Sequence, residues 1–202
     1  MAARANTDQR RAQIVDGLLT VMAASGYEGA TIVAIGKAAG LSSGLVHYHF
    51  ATKEEVLLAL VERLVRGVGA RYQARVAGQT GAAARLHAWI DAHVARGNDG
   101  DPRAVVAWSL VGAEAVRNQA VRAAYQRAIE EQITVTRALV RANLEEQARA
   151  TAGARRIAAT VVSAMEGALR IGAVTDKVLP GGFAATMIKR LADGLVAGEP
   201  SR

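Results

Sequence analysis

The sequence predicts an all-α protein, and three observations predict it. The 202 residues contain only three prolines, Pro102, Pro180 and Pro200, in a background rich in Ala, Arg, Leu and Gln, a composition that favours helices. Apolar residues recur at three- and four-residue spacing through most of the chain, the period of a one-sided helix. Glycine, serine and threonine stand where these stripes begin and end, as helix caps do. The residues are 51% hydrophobic but only 4% aromatic, so the core is built mainly from Ala, Val, Leu and Ile. A sandwich of short strands punctuated by turns is excluded.

The first helix carries Ile14, Gly17, Leu18, Val21 and Met22 on one stripe, with Gly26 at its expected C-terminal cap and Tyr27 following. Thr31 is a good N-cap for a short second helix, Ile32 to Ala39, with Ile32 and Ile35 inward, and Gly40 ends it. Ser42 caps a third helix from Ser43 to about His49, whose buried side is Val46 and Phe50. Thr52-Lys53-Glu54-Glu55 reads as a capping box opening a long helix through Val56, Leu57, Leu60, Val61 and Leu64. After a soft break at 78–81, Leu86, Trp89, Ile90, His93 and Val94 mark a fifth helix. Gly97 to Pro102 is a loop with Pro102 at a favourable first helical position. Ala104 to Ala113 is apolar all round, as a helix buried in a bundle would be. Long helices follow from Asn118 to about Glu146, Ala154 to Ile171 and Phe183 to Val196, making about nine in all.

The net charge of +7 permits an acidic partner such as nucleic acid, but the charge is spread along the chain and singles none out. With no cysteine there is no disulfide framework, thiolate metal site or thiol nucleophile. The N-terminal residues are polar and charged, unlike a signal peptide. The longest charge-free apolar stretch, Ala104 to Ala113, is too short to span a bilayer. These features point to a soluble, cytoplasmic protein with no membrane partner.

Two short helices joined by Ala39-Gly40-Leu41-Ser42 describe a helix-turn-helix. The second begins with the small residues Ser43 and Gly44, which suits a helix end that approaches base edges closely in a major groove. Its outward face is Ser43, Gly44, His47 and Tyr48.

Residues 31–57, TIVAIGKAAGLSSGLVHYHFATKEEVL, closely resemble the DNA-binding signature of the tetracycline-repressor (TetR) family. The specific features are Gly-hydrophobic-Ser-x-Gly, then Tyr-His-Phe, then Lys-Glu at fixed offsets. The carboxy-terminal half more weakly resembles the betaine-operon type of regulator. The resemblance implies an all-helical homodimer: an N-terminal three-helix helix-turn-helix domain that reads DNA, and a C-terminal helical bundle for ligand binding and dimerisation. It puts Thr31 and Lys53 on phosphates, and Ser43, Gly44 and His47 on bases. Tyr48 and His49 fall where the family contacts backbone or adjacent bases, and Ser42, the cap, joins the same DNA-facing set. Two departures stand out. His47 replaces a common Tyr, which makes hydrogen bonding there pH-sensitive. Gly36 replaces a larger residue, at up to about 1 kcal/mol of helix propensity relative to Ala.

The same residues admit other readings. Gly40-Leu-Ser42-Ser-Gly44 also satisfies the nucleophile elbow of hydrolases, but that motif needs a strand before its serine. His47 and His49, two apart on a helix, point roughly 200° from each other and make a poor metal pair. His93 continues an apolar stripe and reads as a core histidine or a ligand contact. Trp89 and Trp108 either pack the core or line a ligand cavity, with Met165 and Glu166 candidates for the same cavity; an exposed ion pair is the other reading of Glu166. Arg4, Arg10 and Arg11 form either a basic arm for DNA or a solvated tail. Ile157, Val161, Ala164 and Met165 form one stripe, and Phe183, Met187, Leu191 and Leu195 another; paired about a two-fold axis, they would build a dimeric four-helix interface.

The expected organisation is therefore a DNA-binding domain over 1–52, linked by the helix 53–76, and a ligand-binding and dimerisation domain over 53–202. The expected function is a ligand-responsive regulator, a repressor that binds a pseudo-palindromic operator as a homodimer and is released by an unknown small-molecule inducer. The partners are double-stranded DNA, the effector and a second copy. No cofactor, no metal and no catalytic residue is expected. The alternative is a helical small-molecule-binding or scaffold protein without operator binding.

Overall fold

The structure, a computed structural model, describes residues 2–95, 101–175 and 178–202, with side chains from Asn6 onward. Among the described residues nine helices follow in order: α1 (Ala2–Gly29), α2 (Ile32–Ala39), α3 (Ser43–His49), α4 (Lys53–Val76), α5 (Ala82–Val94), α6 (Pro102–Glu114), α7 (Gln119–Glu146), α8 (Ala154–Val174) and α9 (Phe183–Ala197). The only β-type pairing among them is an isolated bridge between Arg149 and Ser201. The fold is all-α. Most of the loop read at Gly97–Pro102 lies outside the described residues.

The contacts divide the chain into two compact units, Met1–Val65 with Asp101–Tyr125, and Arg66–Gly100 with Gln126–Arg202. In the first, α1 packs on α2, α3 and α6. Its stripe Ile14, Leu18 and Met22 is buried together with Leu19, Ile35, Val46, Phe50 and, from the start of α4, Val56, Leu57 and Leu60. Gly17 belongs to that stripe for a reason other than hydrophobicity. A Cβ there would lie 2.7 Å from the Ile35 carbonyl oxygen, so the bare backbone is what lets α2 approach. Gly26 has φ +73°, a left-handed conformation that glycine adopts without strain, and it interrupts α1 before Tyr27.

α6 begins with Pro102 behind an Asp101 cap, whose carboxylate accepts from the Arg103 backbone N–H. Only one stripe of this helix, Ala107, Trp108 and Val111, is buried, so the all-round burial expected for 104–113 narrows to a single face. Both ends of α6 are tied within the unit. Arg103 reaches Thr20 Oγ1 at 2.7 Å and Asp16 at 3.5 Å, and Arg63 of α4 meets the same Asp16 at 2.8 Å. Past the other end, the Asn118 side chain caps α7 through the Val121 N–H and donates to Glu54 of α4.

In the second unit α5 packs on α8 and α9, and α8 packs on α9. Leu86 and Ile90, Val140 and Leu144, Ile157, Val161 and Met165, and Ile188, Ala192 and Val196 share one core. Two polar ties join α5 to α9: His87 Nε2 to Asp193 at 2.8 Å, and Lys189 to Asp91 at 3.0 Å. By length and composition α8 is apolar enough to cross a membrane; its Ile157, Val161, Val162 and Met165 pack into this core, while Ile171 and Val174 near its end are exposed. The same observation changes the picture of the expected dimer stripes. Ile157, Val161 and Met165 are buried inside their own chain, because α5 and α9 cover that face. Phe183, Met187 and Leu191, at i, i+4 and i+8 of α9, are 42%, 41% and 39% exposed, and Leu195 is half-buried against the core.

Candidate nucleic-acid interface

The segment 31–53 is assembled almost wholly from short-range hydrogen bonds. Thr31 Oγ1 accepts from the Ala34 N–H at 3.1 Å, and Ser42 Oγ accepts from the Leu45 N–H at 3.2 Å. Each satisfies one of the donors a helix N-terminus leaves open. Between them Gly40 takes the left-handed conformation, φ +67°, while the N–H groups of Gly40 and Leu41 close back on Lys37 and Gly36. Gly36 faces that turn. A Cβ on it would stand 2.8 Å from the Leu41 carbonyl oxygen, so its low helix propensity is the condition for the tight approach of α3. The box that opens α4 is displaced by one residue: Thr52 Oγ1 accepts from the Glu55 N–H, and the Glu55 carboxylate accepts from Ala51 rather than Thr52.

On this frame Val46 and Phe50 point into the core and Gly44, His47 and Tyr48 point to solvent, with Ser43 and His49 half-buried. Tyr48 is 80% exposed and meets His49 edge-on at 5.1 Å. Gly44 differs from Gly17 and Gly36. A Cβ there would have nothing nearer than Ser42 Oγ at 4.0 Å, so the chain's own packing leaves room for a side chain. Lys53 is placed more firmly than its sequence position suggested. Its ammonium donates to the Tyr27 carbonyl at 3.0 Å and sits 4.1 Å from the centre of the Tyr27 ring. An ammonium has three donors, so this brace leaves others for a phosphate. The Tyr27 phenol is pushed up to about 12 by burial and by Glu114 and Glu54, and stays protonated.

The N-terminal arginines do not form one arm. Arg10 bonds Gln13 at 2.9 Å. Arg11, exposed, lies against the end of α3, donating to the His49 carbonyl with its guanidinium 3.9 Å above the Phe50 ring. The Arg4 side chain lies outside the described residues. No spacing rule links Arg11 with residues 38 positions away, and nothing in the sequence signals the contact.

The candidate effector residues fall in both units. In the second, Trp89 Nε1 donates to Thr136 Oγ1 at 2.8 Å, and its ring meets Tyr72 and His93 edge-on at 5.2 and 4.4 Å. His93 Nδ1 lies 2.9 Å from the Trp89 carbonyl, an acceptor only, so the neutral ring carries its proton on Nδ1. Burial pushes the His93 pKa down to about 4, against the backbone hydrogen bond and with help from Arg71. Met165 is fully buried in the core and Glu166 half-buried beside it in sequence. Trp108 belongs to the first unit, buried on α6 with its ring 5.0 Å from Tyr125. Tyr72 and Thr136 were not anticipated; a fully buried threonine within a charged helix carries no sequence signal. Among the described residues no group of three or more His, Asp or Glu could hold a metal ion, and Ser42 caps a helix where a hydrolase elbow would need a strand.

Comparison with known proteins converges on this segment. Residues 14–60 match the model for bacterial regulatory proteins of the tetR family. An HTH-type transcriptional regulator, BetI, from Paraburkholderia phymatum is 32% identical over 85 residues, 42% of this chain and 43% of its own length; the chain thus spans less than half of that relative. A crystal structure assigned to the TetR family, from Rhodococcus sp., superposes with a TM-score of 0.80 at 19% identity, over 94% of this chain and 99% of that one. The regulator FadR from Bacillus subtilis, in complex with stearoyl-CoA, gives 0.74 at 18% identity, over 92% and 97%. The capped helix pair and the family match across it lead to one conclusion: residues 14–60 carry the helix-turn-helix region of the tetR family of bacterial regulatory proteins, on a chain whose helical fold that Rhodococcus structure shares.

Proposed function

We propose that the chain is a transcriptional repressor that reads a pseudo-palindromic operator as a homodimer in the cytoplasm and is released by a small-molecule inducer. The observation that carries the reading is Gly44. It stands on the solvent side of a doubly capped helix, where the fold leaves space for a side chain, and a surface that must approach base edges is the reason to keep it bare. Ser43 and His47, one turn apart, take the base contacts. Thr31 and Lys53, at the N-termini of α2 and α4, take phosphates, which position the protein without specifying sequence. Ser42, Tyr48 and His49 flank the same face.

By task, residues 1–52 are the DNA-reading domain, α4 the link, and 53–202 the effector and dimerisation part; the packing units cut across that division. For the second copy, the exposed apolar row Phe183, Met187 and Leu191 on α9 is the surface we assign, with the outer side of α8 beside it. For the effector, Trp89 and His93 of the second unit are the residues we assign, and the stearoyl-CoA complex of the FadR neighbour supports a small molecule without naming this one.

The test is binding to a duplex selected by the wild-type chain from a random library, against a scrambled duplex, over a range of salt. His47→Ala should weaken the selected site by about 1–3 kcal/mol and leave scrambled DNA unaffected. Lys53→Ala should weaken both and lower the dimer's salt slope by about 2. Gly44→Val should keep the fold and abolish selection. A wild-type chain that enriches no sequence would leave the helical scaffold reading in its place.

A further inference from the structure

We infer that Arg11 is a positioning residue for DNA reading: it holds the C-terminal end of the recognition helix at a fixed angle rather than touching DNA. The inference rests on the proposed DNA-reading role of α3.

α3 has seven residues. A helix of two turns does not hold itself together, and its last carbonyls have no partner within it. Its N-terminal end is secured by Ser42, and its buried side by Val46 and Phe50. At the C-terminal end the Phe50 N–H closes on Val46, which leaves the His49 carbonyl pointing out of the helix. Arg11, brought there by α1, donates to that carbonyl and lays its guanidinium on the Phe50 ring. A planar guanidinium donates in its plane while its flat face stacks on a ring; an ammonium can donate beside a ring as a point charge, as Lys53 does at Tyr27, but has no plane to lay on the Phe50 face. The positive charge also sits where a helix C-terminus favours one. His47 lies two residues before the anchored carbonyl, so a loose end would first alter the direction of the base-reading side chain. Although Arg11 is exposed, its guanidinium's flat face and one N–H are engaged by the end of α3, which sets this residue apart from a free basic arm.

The experiment uses the full chain and the two duplexes described above, with Arg11→Ala and Arg11→Lys compared after circular dichroism confirms native helix content. Positioning predicts that both variants lose about 10-fold on the selected duplex, stay within about twofold on scrambled DNA, and keep the wild-type salt slope. In the free protein, amides at 47–50 should exchange with solvent faster in Arg11→Ala, and those at 31–36 should not. A direct phosphate contact predicts a different pattern: Arg11→Ala lowers both affinities and reduces the slope by about 2, and Arg11→Lys restores them. That pattern, or unchanged exchange at 47–50, overturns the inference. A wild type that selects a site while Arg11→Ala selects it equally well removes only the role of Arg11, whereas a wild type that selects nothing overturns the DNA reading and this inference together.

Discussion

Residues 31–50 and the α8–α9 pair are both helix–helix packings, but they are specified in opposite ways. In the first, both ends of α2 and the start of α3 are set by groups at most five residues away: Thr31 to Ala34, Leu41 to Gly36, Ser42 to Leu45. In the second, neither helix has a side-chain cap at its N-terminus, where Gly153 and Gly182 stand. These helices are held by what they bury, Ile157, Val161 and Met165 against Ile188, Ala192 and Val196. Local hydrogen bonding leaves a signature in neighbouring residues. Burial against a distant partner leaves only a period, which says that a helix has an apolar face and not what covers it.

That contrast predicts where damage is largest. Met165→Ala removes a fully buried side chain from the α8–α9 core and should cost about 2–5 kcal/mol, read by denaturant unfolding. A loss under about 1 kcal/mol would mean that α8 is held by local terms after all. Next comes acid. Burial holds the His93 imidazole at about 4 against an ordinary 6.5, so between those values the unfolded chain binds a proton that the folded chain does not. Stability contributed by the neutral ring is complete above pH 6.5 and falls as the pH drops through 4, by about 3 kcal/mol at most. His93→Gln should flatten the pH dependence of melting in that window.

Gly36→Ala sharpens the other side of the comparison. Helix propensity alone favours alanine by about 1 kcal/mol, whereas the 2.8 Å approach to the Leu41 carbonyl should reverse the sign and cost about 1–3 kcal/mol. A stabilised Gly36→Ala variant would show that the turn yields easily. The smallest effect expected is Thr31→Ala, about 1 kcal/mol for a lost cap, measured in the absence of DNA so that phosphate contacts play no part.

The helix-turn-helix was legible in the sequence nearly to the residue. Thr31, Gly40, Ser42 and the span of α4 stand where capping chemistry put them, because each effect acts within one turn. What was not legible lies across the chain. Arg11 reaches Phe50, Lys53 reaches Tyr27, and Trp89 reaches Thr136, at separations of 39, 26 and 47 residues, with no pattern to announce any of them. Periodicity found the stripe Ile157, Val161 and Met165 and assigned it to a second copy, since a stripe has no label for its partner. The sequence reads Gly36 as a departure that costs helix propensity and Gly44 as a small residue for close approach, and only the space around each separates a glycine the fold requires from one it merely allows.

The packing unit that contains the helix-turn-helix is not contiguous in sequence. Residues 101–125 pack with residues 1–65, and 35 residues of the other unit intervene. Asp16 receives both Arg63 and Arg103, and Glu54 receives Asn118. A chimera that grafts residues 1–65 onto the remainder of a relative would therefore keep Arg63 with Asp16 but inherit only half of the Arg103–Asp16 and Asn118–Glu54 pairs. Asp16 and Glu54 would face whatever the host carries at 103 and 118, and the α1 surface shaped for Ala107 and Val111 would meet foreign side chains. Modular exchange of DNA specificity in this chain has to move two segments together, and the shorter one contains no residue assigned to DNA.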